Sequence, residues 1–290
     1  MPNTYAHYRF GQEVLMELSP AIRQAIEENI DIFNIGVHGP DIYSFYHALL
    51  NDKRNKLCSR EHANPCLDLM QYAATVMQKD TKNKKTMKEK MTASQKSLVY
   101  MYGVICHFAL DGYCHGFVNH TRDTTDLAHN LMESEFDRML MLMDGRNPFS
   151  YCPGNTLVSK KEYADAIAHV SPETDSVTVL RSVRRMRKWC NFYVAPTVFH
   201  RVIIYFGLVV SFNYKKRNGM IMKYKENKKC ADTNKELFRL YCKAKKLAIS
   251  LIEEYAENVF ANKKYAKAYQ ECFSPQTSIE KKLDESQEFA

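Results

Sequence analysis

The sequence is poor in the residues that interrupt helices and form tight turns. It has 10 glycines and 9 prolines among 290 residues, and no proline lies between Pro196 and Pro275. The clearest signal for a two-residue hairpin turn is the pair Asn218-Gly219. This scarcity of turn residues disfavours a β-rich fold and predicts an all-α chain.

The cysteines lack the regularity of a disulfide framework. There are nine of them, an odd number, and none form a CxxC pair. The N-terminal stretch MPNTYAHYRFGQEV has no apolar core of the kind that signal peptides carry. Both features predict a cytoplasmic chain with reduced thiols, in which Cys106 and Cys114 are small buried hydrophobic residues.

No apolar run is long enough to cross a bilayer. The clearest candidate, VIIYFGLVVSF at residues 202–212, has eleven residues without a charge. A transmembrane helix needs about 20. We expect this segment to form a buried core helix, with contact to a membrane interface as the alternative.

The composition is that of a soluble globular protein with a basic surface. Hydrophobic residues make up 45% of the chain, charged residues 26%, and the formal net charge is +8. Basic runs lie at residues 79–90 and 181–188. We expect solvated surfaces there, with transient attraction to phosphate-bearing substrates or an anionic membrane surface as the alternative. No aromatic residue interleaves the first run, which disfavours nucleic acid as a partner.

Apolar residues at helical spacing predict a series of helices in a single domain. Residues 92–95 have the spacing of a capping box, and residues 123–125 are expected to cap the helix that carries His129. The domain is predicted to span residues 1–273, with covering helices in 160–273 and a flexible tail at 274–290. The predicted helices lie at residues 10–18, 20–33, 67–77, 92–119, after 125, and at 160–170, 172–193, 196–212 and 234–260.

The middle of the chain holds histidines and carboxylates at a spacing that suits metal binding. Asp111 follows His107 by four residues, and Glu133 follows His129 by four. Side chains four apart lie on one face of a helix, so each imidazole and carboxylate can reach one cation. His115 lies on the same helix face as His107 and Asp111, roughly 12 Å along the axis from His107. That distance is too long for the ion at His107 but suits a second ion beside it.

Ordinary polar pairs are the alternative explanation, because single His–Asp pairs at this spacing are common on helices. However, residues 98–109 (LVYMYGVICHFA) are nearly all apolar, so this helix is expected to be buried on most sides. Burial of a histidine and an aspartate there is costly unless they are paired or coordinate a metal. The two pairs and the third histidine in phase therefore predict a metal centre between two facing helices.

A second motif precedes this stretch. Gly36, Gly39 and Pro40 interrupt the helix predicted before them, and Asp41 follows directly. A turn of this kind can direct a carboxylate toward a shared cation. Asp41 is therefore a candidate both for binding metal and for orienting or deprotonating an attacking water.

Taken in order, these motifs resemble the zinc-dependent phospholipase C family of all-helical hydrolases. The residues that carry the resemblance are His7 followed by a glycine-initiated helix, GxxGPD at residues 36–41, HxxxDxxxH and HxxxE, within roughly residues 5–140. The resemblance implies a phospholipase C/P1 nuclease-like domain with two to three zinc ions. Secreted members also use the N-terminus of the processed chain as a ligand of the third zinc, whereas six residues precede His7 here. The implied ligands are His107, Asp111, Asp41 and His62 for the first zinc, His115, His129 and Glu133 for the second, and His7 with Asp111 for the third.

The implied activity is metal-dependent hydrolysis of a phosphodiester, with a phospholipid as the substrate class. Zinc suits this reaction because it lowers the pKa of bound water to about 7, and two ions about 3.5–4 Å apart can hold nucleophile and phosphoryl oxygen. A P1-type nuclease and a non-enzymatic, metal-binding scaffold are the alternatives. The sequence has no adjacent His-Asp pair and no ExxH pair, which argues against HD-type phosphohydrolases and ferritin-like di-iron proteins.

Overall fold

The computed structural model describes residues 4–48, 50, 52–83, 87–261, 264–275 and 278–280, and gives the backbone alone for 81–83, 87–93, 215 and 216. Within these ranges the chain forms twelve α-helices and no strand, so the predicted all-α class is confirmed. The helices are α1 (Thr4–Glu17), α2 (Pro20–Glu27), α3 (Ile30–Gly36), α4 (Lys56–Ala63), α5 (Cys66–Asn83), α6 (Met87–Thr124), α7 (His129–Met143), α8 (Lys161–Val170), α9 (Ser176–Phe192), α10 (Val198–Val210), α11 (Tyr214–Arg217) and α12 (Ala231–Asn258). Short 3-10 helices lie at Gly39–Phe45, Lys53–Asn55, Pro153–Thr156, Asn218–Met220, Lys228–Cys230 and Lys267–Gln270.

The 38-residue helix α6 forms the axis of the domain. It packs against α1, α3, α5, α8 and α12. All side chains of residues 99–116 are buried, as the apolar sequence around His107 predicts. The polar residues on this helix therefore lie inside the core, where each needs a partner.

The predicted ends of α6 and the predicted cap of α7 are wrong. Helical backbone begins at Met87, so residues 92–95 lie inside the helix rather than at its start. The helix also continues to Thr124, and Ala128 occupies the N-cap position of α7. Thr125 shapes the connection instead, because its hydroxyl accepts a hydrogen bond from the Leu127 backbone N–H at 3.1 Å.

The helix predicted to start at Pro20 is divided in two. Helix α2 ends at Glu27, and α3 begins at Ile30 after the N-cap Asn29. The side chain of Asn29 donates to the Ala25 carbonyl at 3.1 Å, which competes with continuous helical bonding. Helix α3 then ends at Gly36, as predicted from the glycines and proline that follow.

Two glycines allow α3 and α6 to approach closely. A Cβ atom on Gly103 would lie 2.5 Å from the Phe33 carbonyl oxygen and 2.7 Å from Cα of Gly36. Such distances leave no room for a side chain at either position. The contact fixes the 3-10 segment Gly39–Phe45, which follows α3, against the middle of α6.

The prediction of a buried core helix at residues 202–212 is wrong. Only Arg201, Ile204 and Leu208 of α10 are buried, while most of its apolar side chains are exposed. The reason is its position at the edge of the domain, where one face packs on a small cluster that includes Tyr193, Ala195 and Ile221. Among the described helices, none combines the length and apolarity needed to span a membrane.

The C-terminal part of the described chain packs against α6 and α12. Phe273 is 1% exposed, and Ile279 is fully buried against Gly112 of α6. Glu280 accepts two hydrogen bonds of 3.0 Å from Arg239 of α12. Residues 278–280 of the predicted tail are thus attached to the domain, and 281–290 lie outside the described residues.

Candidate metal centre

The carboxylate of Asp111 lies among four imidazoles in the middle of the helical core. Its Oδ2 is 3.1 Å from Nε2 of His115 and 3.4 Å from Nε2 of His107, both on the same face of α6. The same oxygen is 3.5 Å from Nε2 of His62 on α4, and Oδ1 is 3.2 Å from Nε2 of His7 on α1. Three helices therefore bring four of the predicted ligands to one carboxylate.

Several polar atoms at this centre make no well-directed hydrogen bond to a described residue, although ion-pair distances of 3.1–3.5 Å join the Asp111 oxygens to the imidazoles. They are both carboxylate oxygens of Asp111, both ring nitrogens of His7, and Nδ1 of His107. Asp111 and His107 are completely buried and His7 is 1% exposed. Buried groups without partners cost free energy. Nitrogen and carboxylate donors left open in this way fit a bound zinc ion.

The orientation of the His62 ring supports the same conclusion. Its Nδ1 lies 2.7 Å from the Cys58 carbonyl oxygen, and because a carbonyl only accepts, Nδ1 must carry the hydrogen. Nε2 is therefore the ring atom that remains for a metal ion. That atom is 3.4 Å from Oδ1 of Asp41 and 3.3 Å from Nε2 of His107. Burial disfavours the charged His62 ring, but Cys58, Asp111 and Asp41 outweigh it and hold the pKa of His62 well above its usual value. The site around Nε2 therefore favours a positive charge, which a proton or a metal ion can supply.

Asp41 reaches the centre from the 3-10 segment Gly39–Phe45. It is 1% exposed, and the Cys58 thiol donates to its Oδ1 at 3.6 Å. Its carboxylate, with His62 and His107, forms one group whose potential ligand atoms all lie within 4.8 Å of one another. A second such group consists of His7, His107 and Asp111. His107 therefore adjoins two sets of ligands.

The residues predicted for a second zinc form an arm next to Asp111. Nε2 of His129 and Oε1 of Glu133 are 2.7 Å apart on the first turns of α7. The ring of His115 lies between this pair and Asp111, with its centroid 5.6 Å from that of His129. The side chain of His129 is 21% exposed, so this arm is the part of the centre nearest to solvent.

Asp137 fixes the helix that carries His7. The backbone N–H groups of Tyr5 and Ala6 donate to its carboxylate at 3.1 and 2.9 Å. These first-turn groups of α1 have no partner within the helix, so the carboxyl oxygens of Asp137 on α7 satisfy them. Burial outweighs these hydrogen bonds and raises the pKa of Asp137 to about 8. The His7 ring stacks on His107 with centroids 4.5 Å apart and planes inclined by 20°.

Burial and neighbouring charges set the protonation states. Burial raises the pKa of Asp41 to about 6, although His62 opposes the shift. Burial also raises the pKa of Asp111, but the rings of His115 and His107 outweigh it and hold that pKa well below its usual value. The pKa of His107 is well below its usual value because burial disfavours the charged ring. An ionised Asp111 beside a neutral His107 is the state that metal binding requires.

The other histidines lie outside this centre or at its edge. His38 is buried, with its ring centroid 6.2 Å from that of His7, and burial lowers its pKa to about 3. His47 pairs with Asp52 at 2.7 Å and His169 pairs with Asp80 at 2.7 Å, while His120 is exposed and His200 contacts Phe192. No described contact links His47, His120, His169 or His200 to Asp111.

Sequence reasoning missed three residues that support the centre. Asp137 follows Glu133 by four residues, so it continues the stripe of His129 and Glu133, and this signal was available. Gly103 precedes His107 by four residues, so it lies on the same face of α6, and this signal was also available. Cys58 carries no signal in the sequence, because its role depends on the packing of α4 against the Asp41 segment.

The all-α fold and the buried set of imidazoles and carboxylates are those of a helical metal-dependent hydrolase. Residues 6–168 match the family of zinc-dependent phospholipase C, which is more than half of the 290 residues. The chain belongs to this family, and the match extends beyond the predicted 5–140 into α8. No curated protein and no solved structure matches the chain. Membership of the family makes the chain a zinc-dependent hydrolase of the phospholipase C type.

Proposed function

We propose that this chain hydrolyses phosphodiesters at a cluster of two to three zinc ions, with a phospholipid as its substrate. The observation that carries the proposal is the convergence of four imidazoles on the buried Asp111 carboxylate. A buried anion among imidazoles is stabilised by a positive charge close to it, and zinc binds both types of donor. Family membership supports zinc as that charge.

Two of the three proposed ligand sets contain Asp111, and Nε2 of His115 in the remaining set lies 3.1 Å from its Oδ2. This arrangement favours ions held close together, because one carboxylate has two oxygens to share between them. The sets are His107, Asp111, Asp41 and His62 for the first ion, His115, His129 and Glu133 for the second, and His7 with Asp111 for the third.

Bound zinc supplies a Lewis acid that activates water at neutral pH and neutralises charge on a phosphoryl group. In the proposed reaction Asp41 accepts a hydrogen bond from the attacking water at a carboxylate oxygen, orients that water and takes up its proton. The hydrogen bond from His62 to the Cys58 carbonyl keeps the His62 ring oriented beside Asp41.

The test is hydrolysis of a chromogenic phosphodiester and of phosphatidylcholine by the full chain, with and without a chelator. We expect turnover of both that the chelator abolishes and added zinc restores. Asp41→Asn should lower kcat by roughly 100-fold or more, as expected for loss of a general base. Asp52→Asn is the matched control, because Asp52 pairs with His47 away from the centre, and it should leave kcat unchanged.

Three outcomes would contradict the proposal or the role of Asp41 in it. Cleavage of single-stranded DNA without hydrolysis of phosphatidylcholine would replace the phospholipid by a nucleic acid, as in a P1-type nuclease. Bound zinc without turnover of any phosphodiester would leave a metal-binding scaffold and no enzyme. Equal kcat in Asp41→Asn and the unaltered protein would remove Asp41 from the mechanism.

A further inference from the structure

Helix α10 presents an apolar face that no described part of the chain covers. Its exposed fractions are 76% for Phe199, 69% for Phe206 and 68% for Val198. With Phe212, these side chains form what we call the α10 face, which is completed by Val202, Ile203, Val209 and Val210 at 47–61% exposure. Contiguous apolar surfaces of this kind on soluble proteins mark sites of interaction.

The phenylalanine at position 212 of this face has no structural role within the described chain. It follows α10 with φ of 57°, in the left-handed region that glycine or asparagine usually occupies after a helix. A bulky residue is strained there. Its ring is also 97% exposed, so burial does not compensate for the strain. Neither backbone preference nor packing accounts for phenylalanine at this position.

The positive charge of the chain is concentrated around the same helix. Residues 176–229 contain 13 Lys and Arg and a single acidic residue, Glu226, which gives a net charge of +12. The rest of the chain has 28 Lys and Arg against 32 Asp and Glu, a net charge of −4. The basic character of the whole protein therefore resides in α9, α10 and the segment that follows them.

Exposed basic residues lie on α9 and in the segment after α10, the elements that precede and follow the α10 face in the chain. Arg184, Arg187 and Lys188 are exposed on α9, and Lys223 and Lys225 are exposed after α10. α9 adjoins α10 through the ring contact of Phe192 with His200 at 6.1 Å. Trp189 of α9 packs on the cluster that supports α10. The α10 face is thus apolar, and the elements next to it carry exposed basic residues.

We propose that the α10 face docks on an anionic phospholipid bilayer. Apolar side chains of an interfacial helix enter the boundary between headgroups and acyl chains, while basic residues beside it are attracted to anionic lipids. The buried side of α10 packs on the domain, so the charges come from α9 and from Lys223 and Lys225 rather than from α10 itself. A second copy of this chain fits the face less well, because the exposed basic residues of α9 and of the segment after α10 would repel those of another copy.

Docking does not depend on the proposed hydrolysis, since none of the proposed zinc ligands lies on α10. It gives a hydrolase of phospholipids access to its substrate at the surface where that substrate lies. Binding is measurable without turnover, so failure of docking and failure of catalysis can be told apart.

Trp189 is the single tryptophan of the chain and serves as the probe. The full chain is mixed with vesicles of 70% phosphatidylcholine and 30% phosphatidylserine, with brominated acyl chains as quenchers in parallel samples. We expect quenching of Trp189 and an affinity at least tenfold higher than for pure phosphatidylcholine. Raising the salt concentration should weaken the binding, because exposed charges are screened.

The variant Phe199→Asp/Phe206→Asp should weaken binding to the mixed vesicles at least tenfold. Met16→Asp is the matched control, because Met16 is 63% exposed on α1, and it should bind as the unaltered chain does. Phe212→Gly removes an exposed aromatic ring, so it should bind severalfold more weakly. It also removes the backbone strain, so its melting temperature should not fall. The two aspartates are placed on exposed positions, and hydrolysis of a water-soluble phosphodiester checks that the variant is folded.

Three results would overturn the proposal. The first is no binding of the unaltered chain to vesicles of either composition. The second is equal binding by the unaltered chain and by Phe199→Asp/Phe206→Asp. The third is a dimer in sedimentation velocity that Phe199→Asp/Phe206→Asp dissociates, which would assign the face to a second copy of the chain.

Discussion

Gly39 approaches the ring of His107 so closely that a Cβ atom on it would lie 2.6 Å from Cδ2 of that ring. Gly39 also has φ of 46°, in the left-handed region where glycine carries no steric penalty. The segment that carries Asp41 therefore rests directly on the helix that carries His107 and Asp111. The relative positions of these ligands depend on the absence of a side chain at residue 39.

Gly39→Ala should displace His107 and weaken zinc binding about tenfold or more, the usual effect of disturbing groups that orient metal ligands. Zinc affinity is measured by competition with a chromogenic chelator. Gly145→Ala is the matched control, because Gly145 has φ of 64° but no atom within 4 Å of its Cβ position. Both variants carry backbone strain, and only the first should lose zinc. Equal zinc affinity in the two variants would show that the contact is unimportant.

Asp111→Asn should lower both bound zinc and thermal stability, because the ligand lies on the core helix α6. Zinc at 100 times its Kd stabilises a folded protein by about 2.7 kcal/mol, so its loss corresponds to several degrees of melting temperature. His129→Ala should act in the same direction. Mass spectrometry measures the bound zinc, and thermal melts with and without chelator measure the stability of each variant.

The chelator separates metal loss from a general packing defect. Stabilisation by zinc should be large in the unaltered protein and small in Asp111→Asn, whatever the stability of the metal-free forms. If both Asp111→Asn and His129→Ala keep the metal content and melting temperature of the unaltered protein, the ligand assignment fails.

Asp137→Ala should destabilise the fold by about 1–2 kcal/mol, because the N–H groups of Tyr5 and Ala6 lose their acceptor. Asp137→Asn keeps one acceptor oxygen and should have a smaller effect. Urea denaturation of the three proteins gives the comparison. Since α1 carries His7, zinc affinity should fall in the same order, and a stability for Asp137→Ala equal to that of the unaltered protein would contradict the capping role.

Glu280 should attach the C-terminal segment to α12 in a pH-dependent way. Hydrogen bonds from Arg239 and Lys243 lower the pKa of Glu280 to about 2, below its usual 4.5. A depressed pKa gives a stabilisation that is complete above the usual pKa and is lost as pH falls through the folded value. The difference in stability between the unaltered protein and Glu280→Gln should therefore be constant above about pH 5 and shrink toward pH 2.

Asp232→Asn serves as the control for this experiment, because Asp232 is exposed and faces Lys235 on the same helix. It should show little difference from the unaltered protein at any pH. A Glu280→Gln variant that matches the unaltered protein throughout would indicate that residues 278–280 are not held by this contact.

Local spacing predicted the parts of the centre that lie on single helices. His107 with Asp111 and His129 with Glu133 come together because residues four apart share a helix face, and α6 and α7 follow that rule. The buried setting of α6 also follows from its apolar neighbours. These inferences need no knowledge of tertiary packing.

Contacts between distant helices were beyond local reasoning. The approach of His62 to Asp111 depends on how α4 packs, and the sequence around His62 carries no motif. The family resemblance, rather than spacing, suggested it. The exposure of α10 was mispredicted for a related reason, since apolar content alone cannot distinguish a core helix from one at the edge of the domain.

The most direct test of the central claim is an anomalous difference map at the zinc absorption edge, from crystals of the full chain grown with zinc. The account predicts at least two peaks around Asp111, each about 2.0–2.2 Å from imidazole nitrogens and carboxylate oxygens. One of these peaks should adjoin His107 and His62, and another should adjoin His129 and Glu133. A map with no peak among these side chains would contradict the account.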